Sequence, residues 1–130
     1  MIEIGHTATV TQVVTDANTA HTMGSGSLAV YATPSMVALM EQAACVAVEG
    51  LLEPGQTTVG IKVDIEHLAP SPVGETITAT ATIDAISGKK IELLVVAHDS
   101  NGRIGQGVHH RVIVSVDKFM SKLTTQPAGN

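Results

Sequence analysis

The sequence predicts an α+β domain in which an antiparallel sheet wraps around one long central helix. Three observations lead there. Residues 32–50, ATPSMVALMEQAACVAVEG, carry apolar side chains on nearly every face of a helix, as a buried helix does. Four segments of alternating apolar and polar residues follow it, each with the one-sided apolar face of an antiparallel strand. Turn signals separate these segments, Ser87-Gly88 and Asn101-Gly102 being the clearest.

The first element is a strand from His6 to Val14, in which Ala8, Val10 and Val14 alternate with Thr7, Thr9 and Thr11. Gln12 falls on its apolar side and weakens the pattern. Asp16 to Ala32 reads as a loop loosened by Gly24, Ser25, Gly26 and Ser27, either a lid over a pocket or a slack connector. The helix follows, with Thr33 suited to its N-cap, Pro34 to its first turn and Gly50 to its end. At about 1.5 Å per residue it spans roughly 25 Å.

The next strand, Thr58 to Leu68, places Val59, Ile61, Val63 and Ile65 on one face and Lys62, Asp64 and Glu66 on the other. Glu75 to Ala85 alternates Ile77, Ala79, Ala81 and Ile83 with threonines. Hairpin turns lead to Ile91, Leu93, Val95 and Ala97, and then to Ile104, Val108, Val112, Val114 and Val116. The pattern is lost from Phe119, so a single domain is expected over 1–118 and a C-terminal tail over 119–130. One sheet on one helix leaves a sheet edge and a helix face that call for a partner, so a dimer is expected.

Composition narrows the function classes. A chain of 130 residues with a net charge of −5 and no basic cluster is no nucleic-acid binder. A single cysteine, Cys45, excludes an internal disulfide framework and suits a reducing compartment. The start of the chain does not read as a signal peptide, and the central helix is too short and too charged to span a membrane. A cytoplasmic location is the expectation. The six histidines show no metal-ligand spacing, and the glycines at 102, 105 and 107 form no phosphate loop because no helix follows them.

The candidates for chemistry are few. Glu41 stands in an apolar helix, where an unpaired carboxylate is costly and needs a partner, a raised pKa or a wet cavity. His67 ends its strand on the odd-numbered face expected to meet the helix, at the rim of the core. It suits a general base and equally a half-buried structural histidine. Thr33 suits an N-cap first, and by the same geometry a group that stabilises an oxyanion. Thr33 and Glu41 are eight residues apart, about 12 Å along the axis. They can only flank a substrate or a third residue. Cys45 reads as core packing, and His109 and His110, adjacent on a strand, point to opposite faces.

Three stretches resemble a known family: ATPSMVALMEQAA (32–44), TTVGIKVDIEHLAPSPVGE (57–75) and GRIGQGVHHRVIV (102–114). Over about residues 3 to 118 the chain resembles the hotdog-fold thioesterases, most closely the fluoroacetyl-CoA thioesterase group. The threonine, the glutamate two helical turns later and the histidine 26 residues beyond have that group's spacing.

The resemblance implies a hotdog fold whose subunits pair sheets edge to edge, with active sites at the interface of a homodimer or dimer of dimers. It implies Thr33, Glu41 and His67 as catalytic residues, Arg111 as a supporting cation and Gly60 as a glycine near the thioester. No cofactor is implied beyond the coenzyme A of the substrate.

On that resemblance His67 is the base or proton shuttle, Glu41 a carboxylate base or nucleophile, and Thr33 the group that orients the carbonyl or its attacker. The family's fluoroacetyl-specific member carries an aromatic gate ahead of the threonine. This chain has Met23-Gly24-Ser25-Gly26-Ser27-Leu28 there, which points to a small or medium acyl-CoA as substrate. Lys62, Lys89, Lys90 and Arg103 are the exposed cations expected to be open to CoA phosphates. The alternative is a non-catalytic acyl-CoA binding or sensing module, which would dispense with the base. A hotdog hydratase needs an Asp/His pair that the lid and helix do not offer.

Overall fold

A computed structural model describes residues 3–124. Strand β1 (Thr7–Val13) and a short helix α1 (Ala20–Met23) precede the long helix α2 (Thr33–Val48). Strands β2 (Gln56–His67), β3 (Thr76–Ser87), β4 (Lys90–Asp99) and β5 (Gly102–Ser115) follow, and helix α3 (Val116–Thr124) closes the described chain. The strands form one antiparallel sheet in the order β1-β3-β4-β5-β2. The expected wrapping of one sheet around one helix is therefore present.

The alternating residues of β3 and β4 make the floor of the core: Ile77, Ala79, Ala81, Ile83, Ile91, Leu93, Val95 and Ala97 are all buried. Met36, Leu39, Met40, Ala43 and Ala44 of α2 pack on them. Alanines on both surfaces let helix and sheet approach closely, so the core is almost wholly aliphatic, with Tyr31 its one buried aromatic among the described residues. Truncating Met36 or Leu39 to alanine there costs about 2–5 kcal/mol.

Helix α2 is not buried all round, as its composition suggested. Its buried residues recur every three or four positions from Met36 to Val48, while Ala38, Gln42 and Val46 on the opposite side are exposed. Its N-cap is Ala32, which supplies no side-chain cap, and Thr33 is the first helical residue. The threonine hydroxyl is thus released from the capping role that local sequence gave it.

The segment expected as a loop is partly built. Thr19 caps α1, Gly24 ends it in the left-handed region at φ 74°, and bridges join Thr19 to Tyr31 and Val30 to Pro72. The buried Tyr31 hydroxyl donates to Gln12 Oε1 at 2.6 Å, which explains the polar residue on the apolar side of β1. Burial pushes the Tyr31 pKa up to about 12.

Strand β2 departs from the alternation read off its sequence. A bulge between Gly60 and Lys62 shifts its register on β5, where Gly60 faces Arg111, Val63 faces His109 and His67 faces Gly105. One extra residue reverses the side-chain parity. Thr58 and Gly60 therefore point inward before the bulge, and Ile65 and His67 after it. Ile61, expected in the core, is the extra residue and is 54% exposed. Val63, also expected there, shares the inner parity of Ile65 and His67 but is 48% exposed on this edge strand.

The β3–β4 turn is the two-residue loop Gly88-Lys89, and the β4–β5 turn is Ser100-Asn101, one residue earlier than the Asn-Gly signal. The expected boundary at 118 falls inside α3. Val116, Phe119, Met120 and Leu123 have helical spacing, so what stops near 119 is the strand period alone. Of the expected tail, residues 125–130 lie outside the described residues. Among the described residues no helix is long and apolar enough to cross a membrane.

Candidate active site

The five candidate residues fall into two groups on the inner face, one at the start of α2 and one near its middle. At the start, Thr33 Oγ1 lies 2.8 Å from His67 Nδ1. The first helical residue and the last residue of β2 meet because helix and strand run in opposite directions. Thr33 is exposed and His67 half-buried. Both line a cleft of about 280 Å³ with Ser25, Val30, Leu68 and Pro70. The lid-like segment before Tyr31 thus does border the site.

Burial pushes the His67 pKa below its usual value, with the Ala69 backbone opposing. The ring is therefore neutral at neutral pH and able to accept a proton. Its Nε2 is enclosed without a hydrogen-bond partner among the described residues, so the accessible working atom is Nδ1, on the side of Thr33. The first turn of α2 adds backbone N–H groups that lack intrahelical acceptors.

The second group surrounds Glu41, whose side chain is 43% exposed rather than sealed in the core. Arg111 Nη1 lies 3.5 Å from Glu41 Oε2, and His109 Nε2 lies 3.8 Å away. The carboxylate thus has its cationic partner. Arg111, 7% exposed, donates from Nε to Thr58 Oγ1 at 2.9 Å and from Nη2 to the Thr58 carbonyl at 3.1 Å. Such a clamp uses the fork of donors that only arginine has. A Cβ on Gly60 would stand 2.9 Å from Glu41 Oε2, 3.1 Å from His109 Cε1 and 3.2 Å from Arg111 Nη1. Glycine is what leaves room for the cluster.

Within one chain the structure joins Thr33 to His67, and Glu41 to Arg111 across Gly60, but it does not join the two groups. They are separated by about 12 Å along the helix and about 20 Å along β2. Sequence reasoning missed Thr58 and His109. His109 is 1% exposed and shares the inner parity of Arg111, a signal that was readable two residues away. His110 points outward to Glu92, 3.2 Å distant. Among the described residues no group of His, Cys, Asp and Glu is placed to hold a metal ion.

The model of the fluoroacetyl-CoA-specific thioesterase family matches residues 14–117. The chain belongs to this family. The family's fluoroacetyl-CoA thioesterase from Streptantibioticus cattleyicolor is 39% identical over 101 residues, covering 77% of this chain and 73% of that protein. A variant of the fluoroacetyl-CoA thioesterase FlK in complex with acetyl-CoA superposes with a TM-score of 0.88 at 32% identity, covering 96% of this chain and 99% of that one. A hot-dog-like protein from Thermanaerovibrio acidaminovorans, 24% identical, superposes with a TM-score of 0.88 over 98% of this chain and 94% of its own. That likeness gives the fold, which is the hotdog.

Proposed function

We propose that the protein hydrolyses a small or medium acyl-CoA to free acid and CoA at a site shared by two copies of the chain. Its family is one of thioester hydrolases. The observation that carries the reading is the contact of an unburdened threonine hydroxyl with a neutral histidine at a cleft. A sensing module has no use for that pair.

Two features support a shared site. Strand β2 ends the sheet order with one edge unpaired, and Ile61 and Val63 are exposed along it. Antiparallel pairing of β2 with its copy, about a two-fold axis near Val63–Asp64, brings His67 of one chain beside Gly60 and Glu41 of the other. Inner faces then meet inner faces, since both helices lie on one side of the joined sheet.

In the reaction a water oxygen bonds to the thioester carbonyl carbon while Glu41 takes the proton. The C–S bond breaks, and neutral His67 carries that proton to the departing sulfur. When Nδ1 is protonated the Thr33 hydrogen is released from it and turns to the carbonyl oxygen, where negative charge develops. Arg111 stands at ion-pair distance from the Glu41 carboxylate. The absence of an aromatic side chain from residue 23 to 28 favours acyl groups larger than the fluoroacetyl group.

The test is subunit mixing on an acyl-CoA panel with a thiol-detecting dye. Wild type releases CoA, and Glu41→Ala and His67→Ala each do not. Unfolding and refolding the two variants together restores about a quarter of wild-type turnover, since half the dimers then hold one intact site. Failure to recover activity sinks the shared site, and wild type that binds acyl-CoA without releasing CoA sinks hydrolysis.

A further inference from the structure

We propose that His109 is a positioning residue that occupies a donor of Arg111 and so keeps the Glu41 carboxylate close to the guanidinium but free of a hydrogen bond from it. The inference rests on the thioesterase reading above and assigns a role to a residue that touches no substrate.

The hydrogen-bond pattern fixes the form of the ring. Nδ1 of His109 lies 2.7 Å from the Lys62 carbonyl oxygen, which can only accept, so Nδ1 carries the hydrogen. Nε2 lies 3.0 Å from Arg111 Nη1, which can only donate, so Nε2 offers its lone pair. His109 is therefore neutral and held in one tautomer from both ends. The 3.8 Å approach of Nε2 to Glu41 Oε2 is then a meeting of two acceptors, with Arg111 Nη1 between them.

Of the two N–H groups on Nη1, one is engaged by His109 and neither is within hydrogen-bond distance of Glu41. Arg111 Nη1 is within hydrogen-bond reach of His109 at 3.0 Å, and only at ion-pair distance from Glu41 at 3.5 Å. Nε and Nη2 are both engaged by Thr58. Among the described residues Glu41 accepts no hydrogen bond. An arginine left to itself closes on a carboxylate in a short, often bidentate contact, which would tie up the lone pairs that must act on water. Gly60 and Lys62 flank the β2 bulge, so the glycine that leaves room for the cluster and the carbonyl that holds His109 lie on either side of one irregularity.

Three variants and two measurements test this. Asparagine at 109 keeps a donor for the Lys62 carbonyl but loses the acceptor for Arg111. Glutamine reaches far enough to keep an acceptor there, and alanine keeps neither. The expected result is that His109→Asn and His109→Ala lower kcat about tenfold or more with KM within about twofold, while His109→Gln recovers most of kcat.

Crystal structures of the same variants give a readout that needs no turnover. In His109→Asn, Arg111 Nη1 is expected to close to below about 3.2 Å from Glu41. Equal losses in all three variants, or a separation unchanged in His109→Asn, overturn the proposal. Wild type that hydrolyses no acyl-CoA defeats the parent reading instead, and the crystallographic comparison still decides the placement of Arg111.

Discussion

The two ends of the site are built in opposite ways. Around Glu41, itself 43% exposed, the neighbours are tied down: Arg111 is clamped by Thr58, His109 is bonded on both ring nitrogens, and Gly60 leaves a gap with no slack. Around Thr33 and His67 the site is open, with an exposed hydroxyl, a half-buried ring and a single contact between them at a cleft. In the proposed reaction a carboxylate that must present its lone pairs to water in one direction benefits from rigid neighbours. A ring that must gain and lose a proton benefits from few bonds to break. The contrast fits the proposed roles, a base held in place at one end and a proton carrier with few ties at the other.

The largest effect tests that division. Glu41→Ala and His67→Ala are each expected to lower turnover by about 10²–10⁴-fold, with circular dichroism unchanged. Thr33→Ala is expected to lose less than either, about tenfold or more, and Thr33→Ser to retain most activity because the hydroxyl remains. Equal tolerance of changes at both ends would erase the distinction.

The tied-down end should respond to volume. Gly60→Ala puts a methyl group 2.9 Å from Glu41 Oε2, and either carboxylate or guanidinium must move. About 1–3 kcal/mol of stability is expected to go in urea unfolding, together with most of the activity. Arg111→Lys keeps the charge and loses the fork, leaving Thr58 short of donors at a cost of about 1–3 kcal/mol.

The smallest effect is in pH. Burial lowers the pKa of both His67 and His109 below the ordinary 6.5, so the unfolded chain binds more protons than the folded one as pH falls through that value. The stability these rings contribute is fully present above the unfolded value and is lost as pH drops towards the folded one. Melting temperature should therefore fall between pH 7.5 and 5, and less so in His109→Gln. Turnover should hold down to below 6.5 before His67 protonates, and a limb lying above that pH would contradict the desolvated ring.

Much of this was legible in the sequence. The helix, the four strands after it and both hairpin turns are expressed in local periodicity, which is why they could be placed without coordinates. Glu41 and His67 stood out because a carboxylate in an oily helix and an imidazole at a strand tip are costly enough to ask for a reason, whereas Thr33 joined them only through the resemblance to the thioesterases. The pairing of those residues was not legible. Nothing local distinguishes Thr33 as a cap from Thr33 as a partner of His67, and the decision falls to Ala32 taking the cap. His109 looked idle beside His110 because its worth depends on Lys62, 47 residues away in sequence. Helix α3 was not legible because it follows β5 directly, so the period changes from two residues to 3.6 with no turn signal between them.

The bulge at Ile61 has a consequence for anyone altering this protein. Counting along β2, Gly60 is even and His67 odd, and they face the same way only because one residue is spent between them. A single deletion there would leave the strand length nearly intact while turning the imidazole to the outside, disarming the protein without dismantling it. Insertions and deletions in this strand are thus read by the molecule as a phase, and a homologue or library member that gains or loses one residue at that point should be presumed inert until its histidine is shown to face the helix.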